Sequence, residues 1–145
     1  MYQHILVPTD GSLLSGVAIE KALDFAREVG ARVTVLAATE PFHVFSADSK
    51  QIADTRATYE QHAKAEAAQH LADAERKAKA LEVQCKGIQV EHEHPYRAII
   101  DTAEKSGCDL IAMASHGRRG ISALVIGSET NKVLTHSSLP VLVYR

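Results

Sequence analysis

The sequence has no tryptophan and few aromatic residues of any kind: four Tyr and three Phe, 5% of 145 residues. Its interior must therefore be built mainly from aliphatic side chains and alanine. It has two cysteines, Cys85 and Cys108, in separate segments without CxxC spacing. They read as reduced, buried thiols and exclude a disulfide framework or a thiolate metal site. No stretch approaches the roughly 18 apolar residues of a membrane span. Met1 to Thr9 lacks the basic start, long apolar centre and cleavage site of a signal peptide. A cytoplasmic location without membrane insertion is expected. A positive excess is also missing, because the formal net charge is -2 at pH 7. Nucleic-acid surfaces and polybasic anchors normally carry such an excess, so neither is expected.

What remains is an ordinary globular composition, 46% hydrophobic and 23% charged, over a length that suits one domain spanning 1–145. His4-Ile5-Leu6-Val7-Pro8 is a short apolar run closed by Thr9-Asp10-Gly11-Ser12, as in a buried parallel strand turning into a helix. From Leu14 to Val29 the apolar residues Ala18, Ala22, Phe25, Ala26 and Val29 recur at spacings of three and four, which is helical. Ser12 or Ser15 can cap its start and Gly30 its end. Arg32 to Ala38 is the second strand, and Phe42 to Asp48 reads as a loop. Gln51 to Leu81, rich in Ala, Glu, Lys and Gln, is the longest helical candidate. Its Ala-rich surroundings place His62 and His70 in solvent.

Ile88 to Glu93 alternates like a half-exposed strand, which puts His92 and His94 on one face. A metal site there lacks an identifiable third ligand. Pro95 opens a helix that runs to Gly107, and Leu110 to Ala114 is the fourth strand. A loop follows, then a helix from Gly127-Ser128 to His136 with Val133 and Leu134 inward. Pro140 to Tyr144 is the last strand. Strands alternating with helices imply right-handed crossovers and a parallel sheet covered on both faces.

In such sheets ligands sit beyond the carboxyl ends of the strands, where the strand order reverses. Two of these ends stand out. One carries Asp10. The other carries the loop Ser115 to Ser128 with Gly117, Gly120 and Gly127, flanked by Arg118 and Arg119. A glycine-bearing turn feeding a helix N-terminus offers unpaired amides and a positive dipole end, which suits phosphate. The spacing matches neither the Walker pattern nor GxGxxG, and an ordinary loop is the alternative. If both ends touch one ligand, strands one and four must be neighbours, which the order 3-2-1-4-5 achieves. His116 lies in this loop, where it shapes the loop or assists binding. No Ser-His-Asp arrangement can be assigned to Ser115 or Ser128, and no catalytic residue is assigned.

At this loop the chain resembles the nucleotide-binding branch of the universal stress protein family. Its motif is G-x-x-G, nine residues, then G-S/T. Here Gly117, nine residues and Gly127-Ser128 supply the second half, and Ala114 stands at the first glycine position. The runs Ile5 to Ser12, Asp109 to Met113 and Pro140 to Val143 match as well. The resemblance implies a five-stranded, Rossmann-like α/β fold and a stress-response sensor or regulator that binds ATP or AMP.

It carries Asp10 over to the ribose and to any phosphate-bound Mg²⁺; independently of the resemblance, Glu40 and Asp10 could both approach the site mouth as a carboxylate pair for Mg²⁺. It carries Ala38 to the adenine edge, Gly117 and Gly127 to the phosphate loop, and Ser128 to a phosphate hydroxyl contact. The candidate nucleotide-binding set is Pro8, Thr9, Asp10, Ala38, Met113, Ala114, Ser115, His116, Gly117, Arg118, Gly120, Gly127, Ser128, Glu129 and Thr130. Family members without the motif are dimers thought not to bind ATP, so a nucleotide-free dimeric interaction protein is the alternative, prompted by Ala114. A slow ATPase or autophosphorylating enzyme using the same pocket is a third reading. The apolar strand Pro140 to Tyr144 would be a sheet edge, and antiparallel self-pairing there would bury it in a homodimer. A client protein is unidentified.

Overall fold

The computed structural model describes residues 1–42, 49–117 and 126–145, with backbone alone for 49–53. The elements are β1 (His4–Thr9), α1 (Leu13–Val29), β2 (Arg32–Thr39), α2 (Ser49–Ala80), β3 (Cys85–Glu91), α3 (Pro95–Lys105), β4 (Leu110–Ala114), α4 (Ser128–His136) and β5 (Val141–Tyr144). The strands form one sheet in the order β3-β2-β1-β4-β5. Every pairing is parallel, with Ile5 opposite Val33 on one side and opposite Leu110 on the other. The sheet order is the one that a ligand shared between β1 and β4 requires.

Successive residues of a strand point to opposite faces, so strands covered on both sides read as continuous apolar runs. Ile5 and Val7 join Val33, Val35, Ala22, Leu23 and Leu71 in the layer beneath α1 and α2. Leu6 and Leu36 join Ile99, Ile111, Met113 and Val133 in the layer beneath α3 and α4. Ser12 caps α1, its hydroxyl accepting from the Ser15 amide at 3.2 Å.

Several expectations are corrected. The third strand begins at Cys85 and ends at Glu91, so His92 and His94 lie beyond it rather than on one strand face. The early residues were hidden because Gly87 interrupts the pattern. The Gly87 amide donates to Glu75 at 2.8 Å, and a β-carbon there would stand 3.1 Å from Leu71, so the glycine lets α2 come close. The last strand starts at Val141, one residue after Pro140. The long helix occupies Ser49–Ala80 instead of Gln51 to Leu81. Leu134 is 40% exposed, so Val133 alone of that pair turns inward. Cys108 is buried, but Cys85 is only partly so. Burial raises both thiols to about 11, leaving them protonated and unreactive near neutral pH.

Beneath the sheet, at the opposite end from the loops, His4 is 7% exposed. Its Nε2 lies 2.7 Å from Thr34 Oγ1. Burial holds the imidazole below the ordinary histidine range. Arg32 adds to this, and Asp109 and a hydrogen bond with the Ser106 backbone oppose it. The fold therefore favours neutral His4, while the unfolded chain takes up the proton more readily. The stabilisation is full above the unfolded value of about 6.5 and is lost as pH falls through it toward the lower folded value. Urea melts at about pH 7.5 and pH 5.5 should show a loss on acidification that is smaller in His4→Gln. An equal loss in both proteins would remove His4 from the account.

Candidate functional site

The strand order reverses between β1 and β4, and in open parallel sheets ligands sit beyond the carboxyl ends of the strands at such a point. The β1–α1 turn forms one wall. It is fixed by short polar side chains: the Gly11 amide donates to Thr9 Oγ1 at 3.2 Å, and the Thr9 and Ser15 hydroxyls meet at 3.2 Å. The Ser12 amide donates to Asp10 Oδ1 at 2.9 Å. Thr9 is buried, so its hydroxyl shapes the turn. Gly11 has φ +77°, a conformation that side chains with a β-carbon resist.

Opposite it lie the described ends of the β4–α4 connection, residues 115–117 and 126–127. Asp10 Oδ2 lies directly against Gly117, where any β-carbon would overlap it. Two segments from opposite halves of the chain thus meet with nothing between them. Gly127 is also pressed closely. Its amide donates to the Ser115 carbonyl at 2.8 Å, and a β-carbon would stand 3.1 Å from that oxygen. Gly127 is the N-cap of α4 and offers no side-chain cap. The first helical bond is Asn131 N–H to Gly127 C=O at 2.9 Å, so the amides of the first turn have no partner within the helix itself.

Glu129 is the only acidic residue in that turn. Its Oε2 accepts from the Tyr96 amide at 2.9 Å, at the start of α3. This draws the carboxylate toward a different helix end. The Ser115 hydroxyl is 2.9 Å from His116 Nδ1, and His116 Nε2 is buried without a hydrogen-bond partner. A ring nitrogen left so is a donor or acceptor lacking its complement. Ser115 is 2% exposed, too deep to act as a nucleophile in this arrangement.

The sequence-derived set therefore divides. Asp10 and Gly117 are in contact, as are Ser115, His116 and Gly127. Thr130 is tied to Ala114, its hydroxyl donating to the Ala114 carbonyl at 2.9 Å. Glu82 is the only non-glycine residue with positive φ among the described residues, so Ala114 has no left-handed strain. Met113 is buried with its side chain in the α3–α4 core layer. Pro8 and Ala38 are half-buried strand residues, and Ser128 is exposed. Ala38 pairs with Val90 of β3, one strand away from β1. Arg118 and Gly120 lie outside the described residues.

Sequence reasoning misplaced His70. It is half-buried, and its ring occupies the space where a Gly11 β-carbon would sit. The one clue was its place among Ala67, Leu71 and Ala74, the buried stripe of α2.

The parallel sheet, its strand order and the helices on both faces define a Rossmann-like α/β protein. The family model described as the universal stress protein family matches residues 1–145. The chain belongs to that family. Universal stress protein YxiE of Bacillus subtilis is 29% identical over 149 aligned positions covering all of both chains. Among solved structures, protein MJ0577 of Methanocaldococcus jannaschii superimposes with a TM-score of 0.81 at 26% identity, covering 99% of this chain and 95% of that one. A universal stress protein solved in complex with cAMP gives 0.73 at 25% identity, covering 99% and 97%.

Proposed function

We propose that this protein binds an adenine nucleotide, ATP or AMP, in the crevice between β1 and β4, and acts as a dimeric cytoplasmic regulator of a stress response. The observation that carries this reading is the direct contact of Asp10 with Gly117, beside the uncapped start of α4. That arrangement suits a ligand with a hydroxylated sugar at one end and phosphate at the other. Asp10 would face the ribose. The amides of Ser128 and Glu129 would take phosphate oxygens, with His116 Nε2 as a further polar contact. The relative crystallised with cAMP supports an adenine ligand at this fold. Ala38 at the end of β2 would border the base. The Asp10 carboxylate suits Mg²⁺ held through phosphate, since that ion often takes only one or two protein carboxylates.

Ala114 is compatible with binding because its backbone conformation is ordinary. A ligand pressing on its Cα would favour the nucleotide-free reading instead. β5 is a sheet edge with β4 on one side only. Self-pairing of Val141–Tyr144 would complete the hydrogen bonding of both copies.

Thermal unfolding with ATP, ADP and AMP, with and without Mg²⁺, tests the site. Ligand at 100 times Kd should stabilise the fold by about 2.7 kcal/mol, and Asp10→Ala should remove most of that gain. Native mass spectrometry of freshly purified protein reads the subunit count and any retained nucleotide together. A dimer that carries no nucleotide and ignores all three at millimolar concentration would select the nucleotide-free interaction protein.

A further inference from the structure

Ser115, just past the end of β4, is fixed through both of its backbone groups. Its amide donates to the Tyr144 carbonyl at 2.7 Å, and its carbonyl accepts from the Gly127 amide at 2.8 Å. The side chain is buried, and its hydroxyl lies 2.9 Å from His116 Nδ1. Either atom of that pair can be the donor, and the surroundings choose between the two arrangements.

Each buried polar group left unpaired costs stability. If Nδ1 carried the proton and donated, the Ser115 hydroxyl hydrogen would have no acceptor among the described residues, and Nε2 would be a buried acceptor without a donor. That leaves two groups unpaired. If the hydroxyl donates instead, Nδ1 is the acceptor and the proton of the neutral ring sits on Nε2. Only one group is then unpaired, the Nε2 N–H, and Nε2 is buried without a hydrogen-bond partner.

That N–H stands at the start of α4. Cδ2, the ring atom bonded to Nε2, lies 3.9 Å from the β-carbon position of Gly127, the N-cap of the helix. Glu129, the acidic residue of the first turn, does not serve it. Its Oε2 accepts from the Tyr96 amide at 2.9 Å, and its Oε1 lies 3.4 Å from Lys132. The acceptor that the ring lacks is therefore one that a ligand would bring. Helix-start amides are donors as well, so the matching group is rich in acceptors, as phosphate oxygens are.

We propose that Ser115 and His116 make the nucleotide site selective for phosphate: the Ser115 hydroxyl holds the imidazole proton on Nε2, and His116 donates from Nε2 to a phosphate oxygen. The inference rests on the adenine-nucleotide reading above and assigns two distinct parts within it. His116 touches the ligand, and Ser115 is a positioning residue that acts through the ring.

Calorimetric titration compares AMP with adenosine, which has the same base and sugar and no phosphate. His116→Ala should weaken AMP binding about tenfold and leave the response to adenosine unchanged. In His116→Gln the amide nitrogen reaches the place of Nε2, and most of the AMP affinity should survive. In His116→Asn it reaches only the place of Nδ1, and the loss should match that of alanine. Ser115→Ala should weaken AMP about threefold, because the proton is then free to divide between the ring nitrogens. Long-range nitrogen–proton NMR spectra of the ligand-free protein read the tautomer directly, with the proton on Nε2 in the parent and on both nitrogens in Ser115→Ala. A parent with its proton on Nδ1 overturns the proposal and leaves the nucleotide reading standing. So does AMP binding that His116→Ala and His116→Asn do not change, or an equal loss for AMP and adenosine. A parent that ignores AMP removes the nucleotide reading and this proposal together.

Discussion

Gly11→Ala should destabilise the protein by about 2–3 kcal/mol, and His70→Ala should return part of that loss. Two separate costs combine at this position. The backbone holds φ +77°, which costs an L-residue roughly 1–2 kcal/mol. The new methyl would also overlap the His70 ring, whose Cδ2 and Cε1 lie 2.8 Å from the β-carbon position. The imidazole can swing outward, but only by leaving its half-buried seat against the turn. In a double-mutant cycle by urea denaturation, the steric cost disappears when the ring is absent and the backbone cost stays. The alanine should therefore cost about 1 kcal/mol less in the His70→Ala background than in the parent. Equal costs in the two backgrounds would show that the ring does not press on the turn.

Gly117→Ala should weaken nucleotide binding by tenfold to a hundredfold, about 1.4–2.8 kcal/mol, with only a small effect on stability. The reason differs from that at Gly11. Gly117 is not among the glycines with positive φ, so alanine fits its backbone. The obstacle is Asp10 Oδ2, which lies where the methyl would go. The carboxylate must turn away, loosening its 2.9 Å bond from the Ser12 amide and leaving the proposed ribose position. Calorimetric titration with AMP reads the loss. An alanine variant that binds as tightly as the parent would detach Asp10 from the ligand. Gly127→Ala is a harsher neighbour of this experiment, because its β-carbon would meet backbone atoms at 3.1 Å and 3.3 Å that cannot rotate aside.

Much of this architecture was legible because strand and helix periodicities are local. The runs at Ile5, Val33, Leu110 and Val141 and the Ala18–Ala26 stripe identify their own elements. The sheet order followed from asking which strand ends a common ligand would join. What escaped was set by contacts between elements. The third strand begins early because α2 packs against Gly87, and nothing within residues 85–87 announces that. His70 looked solvated because the surface it covers belongs to the Gly11 turn, far away in the chain. The bond from the Tyr96 amide to Glu129 likewise joins the start of α3 to α4, and spacing along the chain carries no trace of it. In the site itself, the Asp10 and Gly117 ends were readable as unusual turns, but their mutual contact was not. Arg118 and Gly120 fall outside the described residues.

β1 is the first strand made, yet it sits mid-sheet, flanked by β2 on one side and β4 on the other. On the ribosome the first flank closes early. The second stays bare until Leu110 and Ile111 emerge, a delay of several seconds at about 5–20 residues per second. Through that interval the nascent protein exposes an apolar edge of the kind that invites misassembly. The crevice matures later still, once Gly127 has arrived. A fragment ending before Gly117 would hold only one of the two segments that meet at Asp10.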